Sequence, residues 1–146
     1  MNLRLMTMED YDALWALWLA TPGMGLNDVD DSREGIGRYL ARNPSTCFVA
    51  ERDGVLIGAI LAGHDGRRGY ISHTAVRVEE RKQGVGSALV RAALAALRDA
   101  GISKVALVAV SRNEIGNAFW EQQGFPRRDD LSYRDRTLVE MKNIYT

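Results

Sequence analysis

The sequence predicts an α/β protein on a mixed, mostly antiparallel sheet, and three observations carry that prediction. Three apolar runs, Thr46 to Ala50, Val55 to Ala62 and Tyr70 to Val78, follow one another with turn residues between them, as in an antiparallel meander. The third run leads through a glycine loop and a long amphipathic stretch into a fourth, Lys104 to Val110. That order, strand, helix, strand, implies a parallel pair joined by a right-handed crossover. Two further stretches with helical spacing precede the meander and a third follows the crossover, so about four helices flank the sheet. The 146 residues read as one domain, 1–146, long enough to bury a core.

Leu3 to Met6 makes a short first strand, with Leu3 and Leu5 on one side and Arg4 on the other. Thr7, followed three residues later by Asp10, signals a helix start. Tyr11, Leu14, Trp15 and Trp18 then recur at helical spacing and give an apolar face toward the sheet. Thr21 to Asp31 breaks the period with Pro22, Gly23 and Gly25 and gathers Asn27, Asp28, Asp30 and Asp31. One reading of this loop is a solvated connector whose Asp31 caps the next helix, with Glu34 at the capping-box position. The other is a substrate lip that draws in a cationic amine through Asp28 and Asp30. Ser32 to Arg42 forms a second helix with Ile36, Tyr39 and Leu40 inward, and Asn43-Pro44 ends it.

Cys47 reads as a small buried hydrophobe, since no activating base stands near it in sequence. Arg52-Asp53-Gly54 turns the first hairpin, and Asp65 to Gly69, next to His64, turns the second. After the glycine loop, Leu89, Val90, Ala93, Leu94 and Leu97 share a helix face, and Gly101 closes that helix. Lys104 to Val110 is nearly all apolar, as in a central strand buried on both faces. A short helix follows from about Glu114 to Gln123. Asp129 to Met141 carries strand-like segments around Leu131, Tyr133, Leu138 and Val139, with a turn at Arg134-Asp135-Arg136.

Composition removes several function classes. Apolar content of 46% and charged content of 26% are those of a globular protein. Nineteen basic and nineteen acidic side chains cancel, which argues against a nucleic-acid partner. One cysteine and two histidines are too few for an expected metal centre, and no apolar run is long enough for a membrane span. The N-terminal residues lack a secretory profile, so a cytoplasmic protein is expected.

The chemistry concentrates between Tyr70 and Leu97. Arg81-Lys82-Gln83-Gly84-Val85-Gly86-Ser87 stands where a helix begins and its free N–H groups meet the positive end of the dipole. Glycines there let a phosphate approach the backbone, and Arg81 and Lys82 add charge. The dinucleotide fingerprint is excluded because its third glycine would fall at Leu89, and a Walker loop because Gly86-Ser87-Ala88 lacks Gly-Lys-Ser. What remains is Arg81-x-x-Gly84-x-Gly86 after a strand ending Val76-x-Val78. With it comes a second segment, Asn113-x-x-Gly116-x-x-Phe119-Trp120-x-x-x-Gly124-Phe125.

These two motifs, with the order of elements over essentially the whole chain, resemble the GNAT superfamily of acyl-CoA-dependent N-acetyltransferases. The resemblance implies the splayed parallel pair of that fold, acetyl-CoA as cosubstrate, an amine acceptor and direct acetyl transfer. Dimers are common in the family, so it also allows a homodimer. It implies that the backbone of Val76 and Val78 holds the pantetheine arm like an added strand. The amides of Lys82, Gln83, Gly84, Val85, Gly86 and Ser87 would cradle the pyrophosphate beside Arg81. Asn113, with Gly116 and Trp120 in its motif, would contact the CoA arm.

Trp120 stands where many members have a tyrosine that protonates the departing thiolate, and an indole N–H is no practical acid. The expected base or relay is His73, with Tyr70 and Ser72 as alternatives on the same strand. A regular pleat puts those two on the opposite face from His73, and a bulge would change that. Tyr133 is the candidate thiolate acid, and Asp28, Asp30 and Tyr70 are the candidate acceptor contacts. The alternatives are a non-catalytic acyl-CoA sensor or interaction module with the same fold, and a generic nucleotide-binding domain.

Overall fold

In a computed structural model that describes residues 1–146, the chain runs β1 (Asn2–Leu5), α1 (Tyr11–Leu19), β2 (Leu26–Asn27), α2 (Arg33–Arg42), β3 (Phe48–Arg52) and β4 (Val55–His64). It continues through β5 (Gly69–Val76), α3 (Val85–Asp99), β6 (Val105–Leu107), α4 (Glu114–Gln122) and β7 (Asn143–Ile144). The main sheet has the order β1-β3-β4-β5-β6. Its first four strands pair antiparallel and β6 pairs parallel to β5. This is the mixed sheet with flanking helices that the sequence predicts.

Local chemistry explains the main turns. Asp53 and Gly54 both have positive φ, 53° and 77°, as a two-residue hairpin between right-twisted strands requires. Asp10 accepts a hydrogen bond from the Thr7 N–H at 2.9 Å, closing the first turn at a 3₁₀ segment, Met8–Asp10, that leads into α1. Helix α2 is capped by Ser32, whose Oγ accepts from the Gly35 N–H at 3.0 Å. The capping role expected of Asp31 therefore belongs to its neighbour, because the Asp31 carboxylate is turned back into the loop and onto β5.

Two cores lie on the two faces of the sheet. Trp18, Leu14, Leu17, Ile36, Val49 and Ala59 pack between the sheet and α1 with α2. Ile57, Ile60, Ile71, Val85, Leu89 and Leu97 pack between the sheet and α3. Phe119, Trp120 and Phe125 extend the second core beneath α4. No helix is long and apolar enough to cross a membrane.

Three expectations are corrected. The run from Lys104 to Val110 contributes only Val105–Leu107 as strand, half-buried at the sheet's edge rather than buried at its centre. It bonds to β5 on one side and to nothing on the other. The segment from Asp129 to Met141 forms no strand; Leu131, Tyr133, Leu138 and Val139 are all exposed. The only late pairing is β7 with β2, at Leu26↔Ile144 and Asn27↔Asn143. Finally, β5 stops at Val76. Arg77 N–H turns back to Ile57 O at 2.8 Å, and Val78 opens a 3₁₀ turn, Val78–Glu80, with its side chain exposed.

Candidate active site

The glycine loop is built by backbone conformation. Lys82 and Gly84 both take left-handed φ, 62° and 81°, which reverses the chain after the Val78–Glu80 turn and points it into α3. Gly84 caps the helix without a side-chain hydrogen bond. The N–H groups from Lys82 through Ser87 donate to no protein acceptor. They lie at the positive end of a 15-residue helix, an arrangement suited to an anion. Arg81 folds back over the strand end, its Nε donating to Val76 O at 3.2 Å.

The two sequence motifs meet here. A Cβ on Gly86 would lie 3.2 Å from the Phe119 ring and 3.8 Å from Val76 Cγ2, so the start of α3 touches α4 and the end of β5. Gln123 Nε2 donates to Ser87 Oγ at 2.9 Å, a second tie between α3 and α4 that the sequence reading missed. Asn113 caps α4 by accepting from the Gly116 N–H at 3.0 Å. Trp120 is wedged edge-on between Phe119 and Phe125, with ring centroids 5.0 and 5.5 Å away. Val85, by contrast, turns its side chain into the α3 core and offers the loop only its amide.

Strand β5 supplies an open edge. Its pairing with β6 covers only Gly69, Tyr70 and Ile71, so the backbone from Ser72 to Val76 has no strand neighbour on that side. The antiparallel register with β4 also slips here. Ala59 opposes Ala75 and Leu61 opposes Ser72, which sets His73 and Thr74 together against Ile60. This is a β-bulge, and His73 carries its strain with φ of 44°. The pleat is therefore not regular. His73 packs against Trp18 of α1, at 5.0 Å between ring centroids, while Tyr70 and Ser72 line a groove with Tyr39 of α2. All three face the α1/α2 side of the sheet.

His73 Nε2 lies 2.6 Å from Asp31 Oδ1, with side-chain exposures of 13% and 6%. The other carboxylate oxygen of Asp31 accepts from the Asn27 N–H at 2.8 Å. Tyr11 donates its hydroxyl to the Asp31 carbonyl at 2.6 Å, which holds the loop down on α1.

The remaining candidate residues scatter. Asp28 accepts from the Lys142 N–H at 2.6 Å and lines a shallow depression with Arg33 and Arg38. Asp30 accepts from Asn27 Nδ2 at 3.1 Å. Tyr70 instead lines the groove of about 430 Å³ with Tyr39, Asn43, His64, Arg68 and Ser72. Asp28 and Tyr70 thus border separate depressions. Burial raises the hydroxyls of Tyr70 and, further, Tyr39 above the usual phenol range. Tyr133 is 66% exposed, and the nearby Asp135 carboxylate is the chief cause that raises its hydroxyl above the usual phenol range.

Solved structures share this fold. Ard1 from Thermoplasma volcanium superposes with a TM-score of 0.75 at 21% identity, over 84% of this chain and 80% of that one. The PaiA N-acetyltransferase from Thermoplasma acidophilum, in complex with coenzyme A, gives 0.76 at 19% identity over 88% and 92%. AAC(6')-Iy, in complex with the bisubstrate analogue CoA-S-monomethyl-acetylneamine, gives 0.68 at 21% identity over 93% and 98%. At such identities the likeness speaks for the fold. The family is carried by the sequence itself, because the model of the acetyltransferase (GNAT) family matches residues 11–125, from the first residue of α1 to the phenylalanine that closes the second motif. The chain belongs to the GNAT family of acetyltransferases.

Proposed function

We propose that the protein transfers the acetyl group of acetyl-CoA directly to a primary amine of a small molecule, peptide or protein. One observation carries the reading: the row of free amides from Lys82 to Ser87 adjoins the unpaired β5 edge from Ser72 to Val76. The first suits the pyrophosphate of CoA and the second its pantetheine amides, so a single extended ligand satisfies both. PaiA binds coenzyme A on the same fold, which supports the assignment.

In this reading the backbone of Val76, with Val78 beyond it, holds the arm. Arg81 and Lys82 offset phosphate charge, Asn113 with Gly116 and Trp120 of its motif contacts the CoA arm, and Phe119 and Gln123 tie α4 to the start of α3. Charge grows on the thioester oxygen as the amine attacks, and a β5 N–H near Val76 is placed to stabilise it. The amine nitrogen bonds to the carbonyl carbon, the C–S bond breaks, and the amine gives up a proton. His73 takes that proton directly or through water. Trp120 cannot protonate the thiolate, so solvent or Tyr133 does so or, where the acceptor arrives as an ammonium that first gives one proton to His73, the ammonium nitrogen formed by attack does so. The acceptor enters from the α1/α2 side, where Tyr70 and Ser72 line the groove and Asp28 and Asp30 lie farther along the loop.

The test is release of free CoA thiol across a panel of polyamines, aminoglycosides, lysine peptides and N-terminal peptides. Cys47 gives little background, because burial pushes its thiol up to about 11. At least one amine should turn over with acetyl-CoA. The replacement of the usual tyrosine by Trp120 favours a second reading, an acyl-CoA sensor without catalysis. Tight acetyl-CoA binding with no turnover on any amine would select it.

A further inference from the structure

We infer that Asp31 is a positioning residue that fixes the tautomer of His73 and leaves Nδ1 as the basic nitrogen. This rests on the proposed acetyl transfer and adds a residue and an atom to it. The two residues lie 42 positions apart, and the α1–α2 loop brings the carboxylate onto the β5 bulge.

Hydrogen-bond bookkeeping assigns the proton. Asp31 Oδ2 already accepts from the Asn27 N–H, and Oδ1 lies 2.6 Å from His73 Nε2. An ionised carboxylate only accepts, so Nε2 carries hydrogen. In the neutral ring Nδ1 is then the acceptor. Nδ1 makes no hydrogen bond in the protein, and it is not among the buried side-chain atoms that lack a partner, so it reaches solvent. Around the ring, α1 contributes Trp18 and the loop contributes Asp31, the one charged side chain in ion-pair contact with it. When Nδ1 accepts the amine proton, the imidazolium forms beside a fixed negative charge. The same logic explains the bulge. It turns His73 toward the loop that carries its partner, at the cost of a left-handed φ on a non-glycine residue.

The structure makes Asp31→Asn a directed test. The Asn27 N–H demands an acceptor at the Oδ2 position, so the amide oxygen settles there and the NH₂ faces His73. Nε2 must then accept, and the ring proton moves to Nδ1, where it blocks the base.

Nitrogen-15 histidine NMR on the whole protein should show the Nε2–H tautomer in the wild type and Nδ1–H in Asp31→Asn. The activity probes are spermidine and a tetrapeptide beginning with alanine, read as CoA thiol release. With whichever turns over better, Asp31→Asn should lower kcat/KM by at least about 100-fold, the usual span of general-base catalysis. The fall should appear in kcat rather than KM. The limb of kcat/KM against pH that His73→Ala abolishes should vanish here too, and the double variant should be no slower than His73→Ala alone. Asp31→Glu, which can still accept from Nε2, should recover part of the rate.

An Nδ1–H tautomer in the wild type overturns the proposal. So does an Asp31→Asn protein that keeps the wild-type pH profile. If the wild type turns over neither probe nor any amine of the wider panel, acetyl transfer falls, and the catalytic half of this inference falls with it. The tautomer measurement would still decide the pairing, so the two failures are distinguishable.

Discussion

Asp10 shows how a single side chain ties sequence-local and sequence-distant structure together. Its carboxylate closes the turn before α1 through the Thr7 N–H and receives two hydrogen bonds from Arg4, at 2.9 and 2.7 Å. Arg4 Nε meanwhile donates to Glu51 on β3 at 2.7 Å. Burial alone would raise the Asp10 carboxyl, but the Arg4 guanidinium and the Thr7 N–H outweigh it and hold it below its usual value. A carboxyl lowered on folding contributes stability above its unfolded value of about 3.9. That contribution is lost as pH falls through the folded value. Asp10→Asn should therefore destabilise the protein by about 2 kcal/mol at neutral pH, the range of a charged hydrogen bond. It should also flatten the acid side of the stability profile, both read from urea midpoints between pH 3 and 7. An unchanged acid limb would show that other carboxylates dominate it. The Thr7–Asp10 spacing was readable in the sequence because a capping box is local. The Arg4 clamp was not, because nothing in the spacing says that Arg4 turns toward Asp10 rather than solvent.

At the scale of elements, helices and turns were legible where a local rule governs them. Gly84 and Asp53-Gly54 stand where the backbone needs positive φ, and the apolar face of α3 repeats at helical spacing. Strands were legible where an apolar run finds partners in the main sheet, as β1 does on β3 and as β3, β4 and β5 do in the meander. Lys104 to Val110 has the apolar content of a central strand, but nothing in the main sheet pairs beyond β6, so the run ends as strand at Leu107. Tyr133 and Leu138 have strand propensity and no partner. The His73–Asp31 contact escaped for the same reason, since a bulge and a loop set it rather than any spacing. Helix α2 offers a test of such non-local constraint. A Cβ on Gly35 would collide with the carbonyls of Val29 and Asp30, while a Cβ on Gly37 would meet only the Met8 side chain at 3.8 Å. Gly35→Ala should cost about 2 kcal/mol by overpacking the α1–α2 loop. Gly37→Ala should gain about 0.5–1 kcal/mol by helix propensity. Opposite signs in denaturant midpoints are the expected outcome, and two stabilising variants would show that the loop is not pressed onto the helix.

The molecule as a whole places its free backbone amides and its open strand edge at a seam. The α3-side core holds β5 and α3 together through Ile71, Val85 and Leu89, and α4 closes on the same core through Phe119 and Trp120. The free amides at the start of α3 and the open β5 edge are held by this packing, so the proposed cofactor site needs no folding of its own. A ligand that fills it should stabilise the native state by mass action. Acetyl-CoA at a hundredfold excess over its Kd adds about 2.7 kcal/mol. For a chain of this size that raises Tm by about 8 °C. ATP and NAD share the pyrophosphate but lack the pantetheine arm, so they leave the β5 edge unused and should shift Tm much less. Gly86→Val places a branched side chain against the Phe119 ring, where even a single Cβ would sit at 3.2 Å. It should reduce the acetyl-CoA shift far more than it lowers the Tm of the free protein, because it wedges the rim of the α3-side core at the mouth of the site, away from the fully buried Val85 and Leu89. An equal shift from ATP would return the glycine loop to a general nucleotide site. A Gly86→Val protein that keeps the full acetyl-CoA shift would move the pyrophosphate away from the start of α3.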